Sequence, residues 1–141
     1  MPAESTAQPR RLSGVLSVFQ TPYHADESID YQTLGKEIHW LFDRGADGIV
    51  MAMVSEVLRL SSNERLELAE AVCRVGRARG TVIISVGAES THTAVEYAKA
   101  AESSGADALM AVPPVAVAVG EEQLLDYYRR LLEAVAIPLV V

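Results

Sequence analysis

The groups able to do chemistry in this 141-residue chain follow short apolar runs. Ser55 and Glu56, a hydroxyl beside a carboxylate, come directly after the run Gly48–Met53. A carboxylate there can orient a loop or join a proton relay, and a lone loop acid is as readily structural. Ser55 can contact a substrate or simply serve the turn. Thr21 and Tyr23 follow the first apolar run, where packing of the loop is the expected job for both. His24 and His92 have no second ligand at metal spacing, so they read as solvated loop residues and no metal site is expected. The single cysteine, Cys73, excludes an internal disulfide and a structural zinc site, and its place on a helix's inner stripe suits a buried thiol rather than a nucleophile. Gly87-Ala88-Glu89-Ser90 lacks both the later glycines of a dinucleotide fingerprint and the Gly-Lys-Ser/Thr of a P-loop, so no nucleotide cofactor is expected.

The elements that must position these groups alternate in a βα rhythm. Apolar runs at Gly14–Phe19, Gly48–Met53, Val82–Val86, Ala108–Val112 and Ile137–Val141 read as strands buried on both faces, which suits a parallel sheet covered by helices. Helical periodicity fills the gaps. The first helix runs from Tyr31 to Arg44, with Leu34, Ile38, Leu41 and Phe42 inward, Asp30 as N-cap and Gly45 as its stop. The second opens on Ser61-Ser62-Asn63-Glu64, a capping-box spacing, with Leu66, Ala69, Val72, Cys73 and Gly76 inward and Gly80 as its stop. The third starts at Ser90 or Thr91 and buries Ala94, Ala98 and Ala101; the fourth follows Gly120 with Leu124, Tyr128, Leu131 and Val135 on one stripe. Gly45-Ala46-Asp47-Gly48-Ile49-Val50-Met51-Ala52 recurs as Gly105-Ala106-Asp107-Ala108-Leu109-Met110-Ala111-Val112, a spacing of two βα units.

Composition bounds the partners. Half the residues are hydrophobic and 22% are charged, as in a globular protein, and the net charge of −7 repels phosphate backbones and anionic lipid. Neither nucleic acid nor membrane is an expected partner. No apolar run reaches membrane-spanning length and the start carries no secretory h-region, which points to a cytoplasmic protein. Residues 1–13 read as a polar tail and 14–141 as the folded unit. Two folds compete for it. The length suits a flavodoxin-like domain, whereas an end inside the apolar strand Ile137–Val141 suits the front half of a (β/α)8 TIM barrel: four βα units plus strand five. The barrel half is the preferred expectation.

Six motifs in barrel order resemble the dihydrodipicolinate synthase and N-acetylneuraminate lyase family. They are Gly14-Val15 through Thr21-Pro22-Tyr23; Gly45-Ala46-Asp47-Gly48-Ile49; Glu56 with Leu60-Ser61 and Glu64-Arg65; Val82 through Gly87; Gly105-Ala106-Asp107-Ala108 through Pro113-Pro114; and Ile137-Pro138-Leu139. The resemblance implies a class I lyase or aldolase that forms a Schiff base between a lysine and pyruvate or another 2-oxo acid, with no cofactor. It implies substrate contact at Thr21, Met53, Val54, Ser55 and Glu56, and a homo-oligomer, for which Trp40 on helix one is the residue-level support.

Departures from the family pattern are concentrated at the site. The family's Gly-Thr-Thr-Gly stretch before the glutamate is here Ala52-Met53-Val54-Ser55, so a thioether and an isopropyl group stand where hydroxyls serve a proton relay and the substrate carboxylate. Pro113-Pro114 leads into Val115-Ala116 with no tyrosine, and Val115–Val119 would line the mouth with apolar groups. Both features argue for a divergent member with another substrate. No catalytic residue is expected within the chain: its two lysines, Lys36 and Lys99, fall in helices, and the resemblance places the imine lysine and catalytic tyrosine after Val141. A non-catalytic barrel relative is the alternative reading.

Overall fold

The structure, a computed structural model, describes residues 11–51 and 54–141, with the backbone alone at Val54 and Ser55. Its elements are β1 (Leu16–Val18), α1 (Tyr31–Asp43), β2 (Gly48–Val50), α2 (Val54–Val57), α3 (Ser62–Gly76), β3 (Thr81–Ser85), α4 (Thr91–Ser104), β4 (Ala108–Met110), α5 (Glu121–Ala134) and β5 (Leu139–Val140). The polar tail expected at 1–13 lies mostly outside the described residues.

Helix boundaries follow local chemistry. Asp30 caps α1 by accepting from the Thr33 N–H at 2.9 Å, and Gly45 at φ +97° provides the left-handed stop. Ser61 and Glu64 form a reciprocal capping box on α3: the Ser61 N–H donates to Glu64 at 2.8 Å and the Glu64 N–H to the serine hydroxyl at 3.3 Å. Ser90 caps α4, which ends on Gly105 in the left-handed conformation.

The strands pair in sequence order, β1-β2-β3-β4-β5, and every pair is parallel. A doubly wound domain reverses its strand order at a switch point, and this sheet does not; it winds in one direction, as a barrel wall does. The structure is that of a partial (β/α)8 barrel, and the flavodoxin-like alternative is set aside on this strand order.

Alternation along the strands sorts the apolar residues into two layers. Ile49, Val82, Ile84 and Leu109 pack with the helices in the main core, while Val50, Ile83 and Ala108 form a separate cluster with Leu12, Leu16 and Met110 on the inner face. Val18, Val50, Ile83 and Ala108 stand abreast in the pairing register, and Ser85, Met110 and Val140 form a row above them.

Four details differ from the sequence-based expectation. β2 ends at Val50, before Met51, and a short α2 begins at Val54; the last two residues of the expected run, Ala52 and Met53, lie outside the described residues. On α3 the buried stripe is Arg65, Leu68, Ala69, Val72, Cys73 and Gly76, so Leu68 is core and Leu66 is exposed, because a period near 3.6 counted back from the buried Val72 reaches 68 and 65 rather than 66. On α5, Tyr127 and Leu131 are the buried residues, with Leu124 and Tyr128 half-buried. Gly80 lies beyond the end of α3, which closes at Gly76.

Candidate functional site

In a barrel wall the loops after the strands' C-terminal ends form the mouth. Here these are residues 19–30 after β1, 51–61 after β2, 86–90 after β3 and 111–120 after β4. The first is a tight excursion: Tyr23 and Ile29 form an antiparallel bridge, the His24 N–H reaches the Ser28 carbonyl at 2.8 Å, and Glu27 takes a positive φ of 69°. Asp26 steadies it by accepting from both the N–H and the hydroxyl of Ser28.

Glu56 ties this loop to the next. Its two carboxylate oxygens accept from Thr21, the backbone N–H at 3.1 Å and the hydroxyl at 2.8 Å. Thr21 is buried at 6% exposure and Glu56 half-buried, so both bonds are shielded from competing water. Burial and then the nearby Glu56 carboxylate push the phenol of Tyr23 above its ordinary value. Glu56→Ala should therefore lower stability by about 1–3 kcal/mol, the cost of leaving two shielded donors unpaired. Glu56→Gln, which keeps one acceptor, should lose about half of that. Thermal unfolding of the two variants checks the order, and equal midpoints for wild type and Glu56→Ala would remove the tie from the account.

A second set of contacts fixes the ends of β3 and β4. Arg65, 7% exposed, reaches from α3 to donate to the carbonyls of Gly87 at 2.9 Å and Ser85 at 3.0 Å, and its guanidinium stacks 4.0 Å from the Tyr97 ring. Tyr97 in turn donates to the Ser62 hydroxyl at 3.0 Å. From α5, the Tyr127 hydroxyl accepts the Ala88 N–H at 3.1 Å and donates to the Val112 carbonyl at 3.3 Å. Glu89 accepts the N–H groups of Val115 and Ala116 at 2.8 and 3.1 Å, anchoring a loop whose Val115 and Val117 are 52% and 69% exposed. A hollow of about 430 Å³ beside Glu89 and Tyr127, and a cleft of about 780 Å³ between Tyr23, His24 and Arg59, lie on this face, outside the inner layer.

The structure thus brings Thr21 and Glu56 together. Ser55 and Val54 lie in α2 with only their backbone described, and Met53 lies outside the described residues. Lys36 and Lys99 are in α1 and α4, exposed and away from the strand ends. His24 and His92 are exposed beside Asp30 and Glu96. Burial pushes the Cys73 thiol up to about 12, so at neutral pH it is a protonated packing group. Among the described residues no group of three or more metal-ligating side chains could hold an ion. No helix among them is long and apolar enough to cross a membrane.

Sequence reasoning assigned no part in the site to Arg65, Tyr127 or Ser85. The signal for Ser85 was present, a single hydroxyl interrupting the apolar run Val82–Val86 at inward parity.

A one-way parallel sheet with its polar ties at the strand ends defines a (β/α)8-barrel enzyme scaffold, present here in part. The chain belongs to the Dihydrodipicolinate synthetase family, whose profile matches residues 11–141. It is 30% identical over 135 residues to a 4-hydroxy-tetrahydrodipicolinate synthase of Chloroherpeton thalassium, covering 95% of this chain and 45% of that protein. It is 32% identical over 132 residues to an N-acetylneuraminate lyase of Rhizobium meliloti, covering 93% and 44%. Among solved structures it superposes at a TM-score of 0.84 and 33% identity on the chloride-inhibited dihydrodipicolinate synthase of Acinetobacter baumannii complexed with pyruvate, covering 89% and 44%. The chain spans less than half the length of these relatives.

Proposed function

We propose that this chain forms the N-terminal half of a Schiff-base lyase or aldolase acting on pyruvate or another 2-oxo acid. The family match over residues 11–141 carries the reading, together with relatives named as a synthase and a lyase. An imine needs an amine that projects from a strand end into the mouth with a lowered pKa. Lys36 and Lys99 lie in α1 and α4, away from the strand ends, so the lysine is assigned to residues beyond Val141. This half contributes the wall and the loop anchors: Glu56 holds Thr21, and Arg65 and Tyr127 hold the ends of β3 and β4. The complete barrel binds a small-molecule 2-oxo acid, works without a cofactor and assembles as a homo-oligomer in the cytoplasm. Trp40, 56% exposed on α1, is available for a subunit contact. The exposed valines at 115 and 117 suit a less polar substrate end than the family's synthases accept.

One observation favours a second reading, a barrel that binds without catalysis: Met53 and Val54 stand where the family's hydroxyls serve the relay. Intact mass after incubation with pyruvate, with and without borohydride, separates the two. A borohydride-dependent pyruvate adduct on the lysine-bearing protein is the expected result, since reduction traps the imine. Its absence with every 2-oxo acid tried would overturn the lyase reading.

A further inference from the structure

The inner ends of the described strands form a short inventory. The last inward residues of the other strands are Val18 from β1 and Val50 from β2, one row below the rim, and Met110 from β4 and Val140 from β5 at the rim, all apolar. β3 alone ends in a polar side chain, Ser85, two residues past the inward Ile83 and paired in register with Met110. The other inward hydroxyl, Thr81, stands at the opposite end of the same strand, paired with Gly48. Ser85 is buried, 3% exposed, so its hydroxyl is shielded from bulk water, and an apolar wall holding one shielded hydroxyl near its rim is how a site fixes the orientation of a small polar molecule.

The backbone that carries the hydroxyl is held in place. Arg65 grips the Ser85 and Gly87 carbonyls on either side of Val86, at 3.0 and 2.9 Å. The Val86 N–H donates to the Met110 carbonyl at 2.8 Å, and Gly87 lies so close to Val112 that an added Cβ would stand 2.7 Å from its carbonyl oxygen. Backbone restrained from the helix side and from β4 fixes where the Ser85 Cβ stands, which lowers the cost of ordering this strand end on binding.

We infer that Ser85 is the polar contact for the 2-oxo acid on this half of the mouth, its hydroxyl donating to the substrate carboxylate, with Arg65 as the residue that positions it. The inference rests on the proposed lyase function and deepens it. It supplies a hydroxyl donor in a sequence that has methionine and valine at 53 and 54, the positions of the family's two hydroxyls. A serine hydroxyl donates one hydrogen bond, and to a carboxylate that bond is charge-assisted.

The test uses the lysine-bearing protein and follows two quantities in Ser85→Ala: pyruvate binding by calorimetry, and the rate of borohydride-trapped adduct against pyruvate concentration. Loss of one charge-assisted bond should raise the half-saturating pyruvate about tenfold, with the maximal trapping rate within about twofold of wild type. The preference for pyruvate over its methyl ester, which lacks the full negative charge, should shrink by a similar factor. Arg65→Lys keeps the charge but loses the two-pronged grip, and should move the same quantities in the same direction while leaving the maximal rate unchanged. Unaltered half-saturation and unaltered ester preference in Ser85→Ala would overturn the inference, as would a fall in maximal rate alone. Pyruvate binding that weakens in Ser85→Ala, with no trapping even in wild type, would uphold the Ser85 contact and overturn only the imine chemistry. No pyruvate binding by wild type would overturn both.

Discussion

Replacing Gly48 by valine is expected to abolish cooperative folding. A Cβ at this position would stand 2.6 Å from the Thr81 carbonyl oxygen, 2.7 Å from Leu16 Cδ2 and 2.9 Å from Thr81 Cβ. The first of these is backbone, held by the register that sets Gly48 against Leu16 on one side and Thr81 on the other, so it cannot yield without parting two strand pairs. Overpacking a core costs about 1–3 kcal/mol where side chains can adjust. Here the obstacle is the sheet itself, and the loss should exceed that range and consume much of a net stability of about 5–15 kcal/mol. Gly35 offers the contrast: it lies within α1 with nothing inside 4 Å of a built Cβ, so Gly35→Ala should be neutral or stabilising by about 0.5–1 kcal/mol. Thermal melts followed by circular dichroism measure both. A cooperative melt for Gly48→Val near the wild-type midpoint would show that the two strand pairs can part at little cost.

The second large effect is at Phe19, which has no exposed surface and sits in the main core immediately after β1. Phe19→Ala should cost about 3–5 kcal/mol, the removed ring plus the cavity it leaves, and lower the unfolding midpoint by roughly 10 °C. Its effect on the site should outrun its effect on the fold. Phe19 is two residues from Thr21, and its N–H bonds the Val50 carbonyl at 3.4 Å, so the ring fixes the direction in which the first loop leaves the sheet. Amide exchange at Thr21, whose N–H is held by Glu56, should quicken in Phe19→Ala before exchange in β3 does. Equal quickening in both places would mean that the ring supports the domain as a whole and not the loop.

Much of the architecture was legible in the sequence because its signals are local. Asp30, Ser61 with Glu64, and Gly105 mark helix ends through short-range hydrogen bonds or a left-handed turn, and the apolar runs marked each strand to within a few residues. The repeat around Asp47 and Asp107 announced equivalent βα units. Strand order, which separates a barrel wall from a doubly wound sheet, has no local signature and needed the pairing itself. The site was harder to read. Glu56 was singled out for its place after β2, yet its partner Thr21 lies 35 residues away and only the fold brings them to 2.8 Å. Arg65 was noted only within the Glu64-Arg65 pair, because a buried arginine is betrayed only by the carbonyls and the ring it meets. Leu66 was misplaced for the same reason: the charged neighbour takes the inward position.

The two aspartates of the repeat do more than mark it. Asp47 Oδ2 accepts the Val15 N–H at 2.7 Å, and Asp107 Oδ2 accepts the Val82 N–H at 2.9 Å, while their own N–H groups bond back to the carbonyls of Val15 and Val82 at 2.8 and 2.9 Å. Each latch joins the entry of one strand to the entry of its neighbour, at the floor of the sheet and a full strand length from the mouth. Alignment of the wall is thereby decided where no chemistry happens. Loops at the rim can be lengthened, shortened or rewritten without renegotiating how the strands line up, so specificity and architecture in this scaffold are free to evolve on separate schedules.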